Sequence, residues 1–136
     1  MQEAYHHLIA YSLSHPSPQF IHQHCVDAYA AQTADEDTKP ISLVFALAGL
    51  YLYCEKNYTG KQVQFAHMQM AKNKSVWPAL TLPRNRGKIT VNDVVRAAAG
   101  PARDEEIKNW CRSVWQSYAD NHPQIVALLR ERQIIT

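Results

Sequence analysis

The segment Phe20-Ile21-His22-Gln23-His24-Cys25-Val26-Asp27-Ala28-Tyr29-Ala30-Ala31-Gln32 gathers two imidazoles, a thiol, a carboxylate, a phenol and two amides on one short stretch of chain. Imidazoles and carboxylates can move protons or hold a metal ion near neutral pH, and on a buried helix they need partners that satisfy them. The segment is therefore the first place to look for a site. At about 100° per residue, His22 and His24 stand about 200° apart around a helix axis, so one regular helix cannot aim both at a single ion. His22 shares its face with Cys25, Val26 and Tyr29, whereas His24 falls near Asp27 and Ala31. If the first face packs inward, His22 is the buried imidazole and His24 an outer one beside a carboxylate.

A second histidine at an apolar position is His67, on the stripe Val63, Ala66, His67, Met70. Helical bundles hold metals with inward ligand sets of this kind, so a divalent metal or an acid–base reaction at a His22/Tyr29/His67 pocket is one expectation. Those sites normally include Glu-x-x-His, and the helices that carry His22 and His67 lack that spelling. The favoured expectation is that the polar cluster His22, Asp27, Tyr29, Gln32 and His67 is satisfied within the core, with no cofactor and with His22 and His67 as the candidate metal ligands. Nucleophilic and nucleotide chemistry find less support: there is no Gly-x-Ser-x-Gly elbow, and none of the four glycines falls in a Gly-x-Gly spacing.

Charge is nearly balanced in total but not along the chain. Residues 1–55 carry six acids against the single base Lys39, whereas residues 56–92 carry Lys56, Lys61, Lys72, Lys74, Arg84, Arg86 and Lys88 with no acid. Within the basic stretch, Trp77 lies between Lys72 and Lys74 on one side and Arg84, Arg86 and Lys88 on the other, a set that can anchor a protein partner or stack on a nucleic acid. The expected surface is therefore Lys72, Lys74, Trp77, Arg84, Arg86 and Lys88, with Trp77, Arg84 and Arg86 exposed together. Protein binding or self-association ranks above nucleic acid because the net charge is only +2.

The elements that must position these residues are helical. Tyr5, Leu8, Ile9 and Ser12 recur at helical spacing ahead of Pro16. Ser17 and Pro18 read as the cap and first residue of a second helix running to about Ala34. Behind Thr38 and Pro40 lies a run apolar on every side, so the helix over 40–55 is expected at the centre of the fold. Thr59-Gly60-Lys61-Gln62 matches a capping box for a fourth helix to about Lys72. A long connection over 73–87 precedes a short helix from Thr90 to about Ala98. Ile107, Trp110, Cys111, Val114, Trp115 and Tyr118 mark an amphipathic helix, and a last one carries Ile125, Val126, Leu128 and Leu129.

Together these predict an all-α, single-domain bundle of about six or seven helices over residues 1–136. Cys25, Cys54 and Cys111 show no Cys-x-x-Cys pairing and sit in apolar settings, which predicts reduced thiols in the cytoplasm. The start of the chain lacks the order of a signal peptide, and the apolar stretch 41–54 has the length of a core helix, so no membrane association is expected.

The run from Phe20-Ile21-His22 through Val26-Asp27-Ala28-Tyr29 to Gln32, followed by Thr90-Val91-Asn92-Asp93-Val94 and by Trp110 and Trp115, resembles a bacterial family of small proteins known as a domain of unknown function. The resemblance spans about Tyr5 to Leu129 and rests on a His-x3-Val-Asp-x-Tyr-x2-Gln spelling. Members often place a histidine directly after the glutamine, where this chain has Thr33, and that departure weakens a ligand or acid–base role built around His22. The resemblance implies a stand-alone helical domain and directs attention to His22, Asp27, Tyr29 and Gln32. The reading that follows is a non-catalytic interaction or accessory protein, ahead of a metal-dependent or acid–base enzyme and of a nucleic-acid binder.

Overall fold

The computed structural model describes residues 2–14, 19–72 and 76–136. The fold is all-α, as expected: α1 (Gln2–Leu13), α2 (Ile21–Thr33), α3 (Pro40–Lys56), α4 (Gly60–Ala71), α5 (Val91–Arg96), α6 (Pro101–Ser117) and α7 (His122–Glu131), with a 3-10 turn at Ala119–Asn121 leading into α7. No strand occurs among the described residues. Proline in the first turn of α3, α6 and α7 presets the backbone angle where its missing amide costs nothing.

Every residue of α3 from Leu43 to Leu52 except Phe45 is buried, and α2, α4, α6 and α7 pack around it. The expectation of a central apolar helix is met because no face of this sequence can be left in water without cost. The whole predicted stripe, from Ile107 on α6 to Tyr118 just past its end, is buried.

Local chemistry fixes most helix ends. Thr59 and Gln62 form the predicted capping box, Gln62 N–H donating to Thr59 Oγ1 at 3.2 Å and Thr59 N–H to Gln62 Oε1 at 2.8 Å. Thr90 N–H donates to Asp93 Oδ2 at 2.9 Å, but α5 stops at Arg96 rather than Ala98, because Ala97 turns extended. α2 starts at Ile21 rather than running from Pro18 as expected, because Gln19 and Phe20 are not helical and Phe20 has a left-handed φ of 40°; the expected cap at Ser17 and Pro18 itself lies outside the described residues.

Carbonyls at helix C-termini need donors, and neither α2 nor α4 has a basic residue in its own last turn. Distant arginines supply them. Arg86 reaches Gln32 O at 3.3 Å in the last turn of α2 and Ala34 O at 2.6 Å just beyond it, and Arg132 reaches Met70 O at 2.9 Å in α4. Arg103 does the same for α5 through Val95 O and Ala97 O, both at 3.1 Å.

Candidate functional site

On α2 the inward stripe consists of His24, Cys25, Asp27, Ala28 and Ala31. The face that carries His22, Val26 and Tyr29 is only half-buried, so the assignment of His22 as the inner imidazole and His24 as the outer one is reversed. His24 is 3% exposed and stacks on Tyr53 of α3, ring centroids 3.6 Å apart and planes 10° apart. Its Nδ1 is buried without a hydrogen-bond partner. Burial lowers its pKa to about 4, which keeps the ring neutral at pH 7. His22 instead meets Ser12 of α1, Nδ1 to Oγ at 3.1 Å, and burial lowers its pKa.

Asp27 is buried at the α2–α3 contact. Gln23 Nε2 donates to its Oδ1 at 3.0 Å, whereas Oδ2 has no partner. Burial raises its pKa well above the usual carboxylate range, with the Gln23 bond acting against that rise. Glycine at position 49 makes room for it: a Cβ there would overlap Asp27 Oδ2 and stand 3.2 Å from His67 Nε2. His67 Nε2–H donates to Phe45 O at 2.8 Å, which fixes its proton on Nε2; burial lowers the pKa and this bond opposes the shift.

Asp27 and His67 therefore approach one glycine, but the expected His22/Tyr29/His67 pocket does not form. His22 is held by Ser12 and Tyr29 stacks on Tyr5 at 3.7 Å, both against α1, whereas His67 of α4 is tied to α3. Gln32 is fully engaged in structure. Its Nε2 donates to Ile89 O at 2.7 Å and Arg86 O at 3.2 Å, while its Oε1 accepts from Trp110 Nε1 at 2.9 Å. That amide joins α2, the 86–89 segment and α6.

A cleft that the sequence did not announce opens beside His24. Tyr11 of α1, Gln19 and Ile21 at the start of α2, His24, Tyr53, and Pro101, Asp104 and Glu105 of α6 line about 480 Å³. Tyr11 Oη donates to Asp104 Oδ1 at 2.7 Å and accepts from Gly100 N–H at 3.0 Å. Its signal was hidden because Tyr11, Tyr53 and Asp104 are far apart in sequence and each is ordinary by itself.

The basic segment is used differently from expectation. Lys72, Arg84 and Lys88 are exposed, and Lys74 lies outside the described residues. Arg86 is turned inward onto the carbonyls that follow α2, and Trp77 packs edge-on against Phe45 at 5.2 Å with the Arg132 guanidinium 4.1 Å from its centroid. Trp77, Arg84 and Arg86 are thus not exposed together, because two of them satisfy the bundle's own ends and core. A different surface stands out on α4, where Phe65 and Met68 are 61% and 65% exposed.

The model of a family described as of unknown function, DUF5946, matches residues 2–119. The chain belongs to this family. The match in this DUF5946 member runs from α1 through α6, so every residue lining the His24 cleft lies inside it. Neither a curated protein nor a solved structure matches the chain.

Among the described residues of this DUF5946 protein, no three His, Cys, Asp or Glu side chains stand close enough to share an ion, and no helix is long and apolar enough to cross a membrane. Cys25 and Cys111 are buried, and burial raises both thiols far above the range in which a thiolate forms at neutral pH. A cysteine–histidine dyad gains nothing from this arrangement.

Proposed function

We propose that the protein is an interaction module without chemistry of its own, which docks an acidic amphipathic helix of a protein partner on the outer face of α4. The observation that carries this reading is the row Lys61, Phe65, Met68 and Lys72, all exposed, at helical spacing on one face. Large apolar side chains left in water between two ammonium groups suit a partner that brings apolar anchors flanked by carboxylates. No acidic residue occurs between positions 56 and 92 to neutralise that face locally. Beside it runs a groove of about 410 Å³ lined by Tyr58, Phe65, Ala66 and Ile134 among others, a volume that accepts side chains of an incoming helix. Nucleic-acid binding draws less support, since Arg86 and Trp77 are committed to the bundle.

The test is in-cell photo-crosslinking with benzoylphenylalanine at position 65, and at position 84 as control. A discrete adduct with an acidic protein from position 65 alone, abolished by Lys61→Glu with Lys72→Glu, is the expected result. An adduct with a second copy of this chain, or none from position 65, would overturn the proposed occupant.

A further inference from the structure

The chain holds three cysteines and three methionines, and the fold leaves their sulfurs unequally open to an oxidant. Cys25, Cys111 and Met70 are fully buried. Cys54 is half-buried, but burial pushes its thiol up to about 12 against the pull of Arg112, so little of it is the thiolate that reacts with a peroxide at neutral pH. Met1 lies outside the described residues. A thioether needs no deprotonation to react, so for methionine access decides. Met68 is 65% exposed, whereas Met70, about 200° further round the same helix, fills the core. Among the described residues, Met68 therefore carries the sulfur most open to a peroxide.

Its position gives that reactivity a consequence. Met68 stands about one turn from Phe65 and one from Lys72, and with Phe65 it forms the exposed apolar part of the α4 face between Lys61 and Lys72. A thioether is apolar and adaptable, which suits it to an anchor that a partner covers. The sulfoxide is polar and a strong hydrogen-bond acceptor, so covering it with apolar side chains is costly. Charge does not change in the conversion. Lys61 and Lys72 keep their attraction for carboxylates, and only the apolar half of the recognition is lost.

We propose that Met68 is a modification site at which hydrogen peroxide switches the α4 face from docking to release. The inference rests on that face being the docking surface. In the step, the Met68 sulfur attacks one peroxide oxygen with a lone pair; the S–O bond forms as the O–O bond breaks, the sulfur is oxidised to the sulfoxide, and the second oxygen leaves as water. The change is reversible: a sulfoxide reductase takes the oxygen off as water while a dithiol is oxidised to a disulfide. Because the exposed side chain of Met68 points away from the core that Met70 fills, the bundle stays folded in both states.

The test treats the folded full chain with hydrogen peroxide and reads position, fold and binding. The tryptic peptide over residues 62–72 contains both Met68 and Met70, and its fragment ions should place the added oxygen on Met68 while Met70 stays reduced. The docking probe is a fluorescently labelled amphipathic peptide with a leucine face flanked by glutamates, followed by anisotropy. Oxidation should weaken its binding by about tenfold with the circular dichroism melt unchanged, and sulfoxide reductase should restore it. Met68→Leu has no sulfur at that position, so its affinity, whatever the starting value, should not respond to peroxide; Met68→Gln should show the loss with no peroxide added. Oxygen found first on Met70 or on a cysteine, an affinity that the sulfoxide leaves unchanged, or an equal peroxide response in Met68→Leu would each remove the switch. A probe that fails to bind the untreated chain strikes the docking face itself, and the switch goes with it, so the two failures are told apart.

Discussion

Gly49 of α3 and Asp27 of α2 interlock: the carboxyl occupies the space that a side chain at position 49 would fill, and Oδ2 lies against the helix backbone there. A glycine within a helix costs roughly 1 kcal/mol relative to alanine, so its presence in the most buried helix reflects the room that Asp27 takes. Gly49→Ala should destabilise by about 1–3 kcal/mol in urea unfolding, through overpacking against a polar group. Combined with Asp27→Ala, the same substitution should return stability to within about 1 kcal/mol of the parent, a coupling expected only for residues in contact. Additive losses in the double variant would refute the interlock.

His24 makes stability depend on pH in a definite direction. Its folded pKa of about 4 lies below the ordinary value of 6.5, so as pH falls the unfolded chain takes up the proton first. The stabilising effect is complete above about pH 6.5 and is lost as pH falls towards 4. Between pH 7.5 and 5 the parent should lose about 2 kcal/mol more than His24→Phe, which keeps a ring against Tyr53. Urea midpoints at several pH values read this difference; parallel curves would remove His24 from the account.

Asp27 acts with the opposite sign. Its folded pKa is raised, so the folded chain binds the proton first, and stability withheld at high pH returns as pH falls through the folded pKa towards the ordinary value of 3.8. Asp27→Asn keeps an acceptor for Gln23 and removes the titration. The variant should match or exceed the parent's stability near pH 8 and lose stability more steeply on acidification, as followed by thermal melts across that range. A variant less stable at pH 8 with an unchanged acid slope would contradict the burial of an unpaired carboxyl.

The helices were legible because each rests on a local signal: Thr59 with Gln62, Thr90 with Asp93, Pro40 at a first turn, and the α6 stripe. The orientation of α2 was not, since small and polar residues alternate around it and no single apolar arc dominates. The buried arc through His24, Asp27 and Ala31 lies more than a quarter turn around the helix from the expected one, and that rotation exchanges the two imidazoles. Motif spelling rightly drew attention to Asp27 and Gln32, yet their partners Gly49, Ile89 and Trp110 are tertiary neighbours that periodicity cannot place. The same holds for Arg86, whose charge suggested a surface while its geometry serves the carbonyls beyond α2.

Arg86→Ala should therefore behave as a core substitution. Losing charged donors to the carbonyls of Gln32, Ala34 and Pro83 should cost about 2–3 kcal/mol, while Arg84→Ala and Lys88→Ala should stay within about 0.5 kcal/mol of the parent. Arg86→Lys should recover only part, since a single ammonium cannot reproduce the guanidinium fork. Chemical denaturation of the four variants separates the two roles; equal effects at 84 and 86 would return Arg86 to the surface.

Gln32 joins three segments through one amide, and its removal should loosen the one with the least regular structure. Gln32→Leu strips donors from Arg86 O and Ile89 O and leaves the buried Trp110 indole N–H without its acceptor. An orphaned donor at a fully buried residue costs about 1–3 kcal/mol, and Trp110→Phe removes the same bond from the other side. The two substitutions should therefore be non-additive by about 1 kcal/mol in a double-mutant cycle. Trypsin supplies a second reading, because Arg84, Arg86 and Lys88 are its targets in that segment: native-state cleavage there should accelerate in Gln32→Leu but not in Trp110→Phe, which keeps both carbonyl bonds. Equal acceleration in both variants would mean that α6, rather than the Gln32 amide, restrains the 84–89 segment.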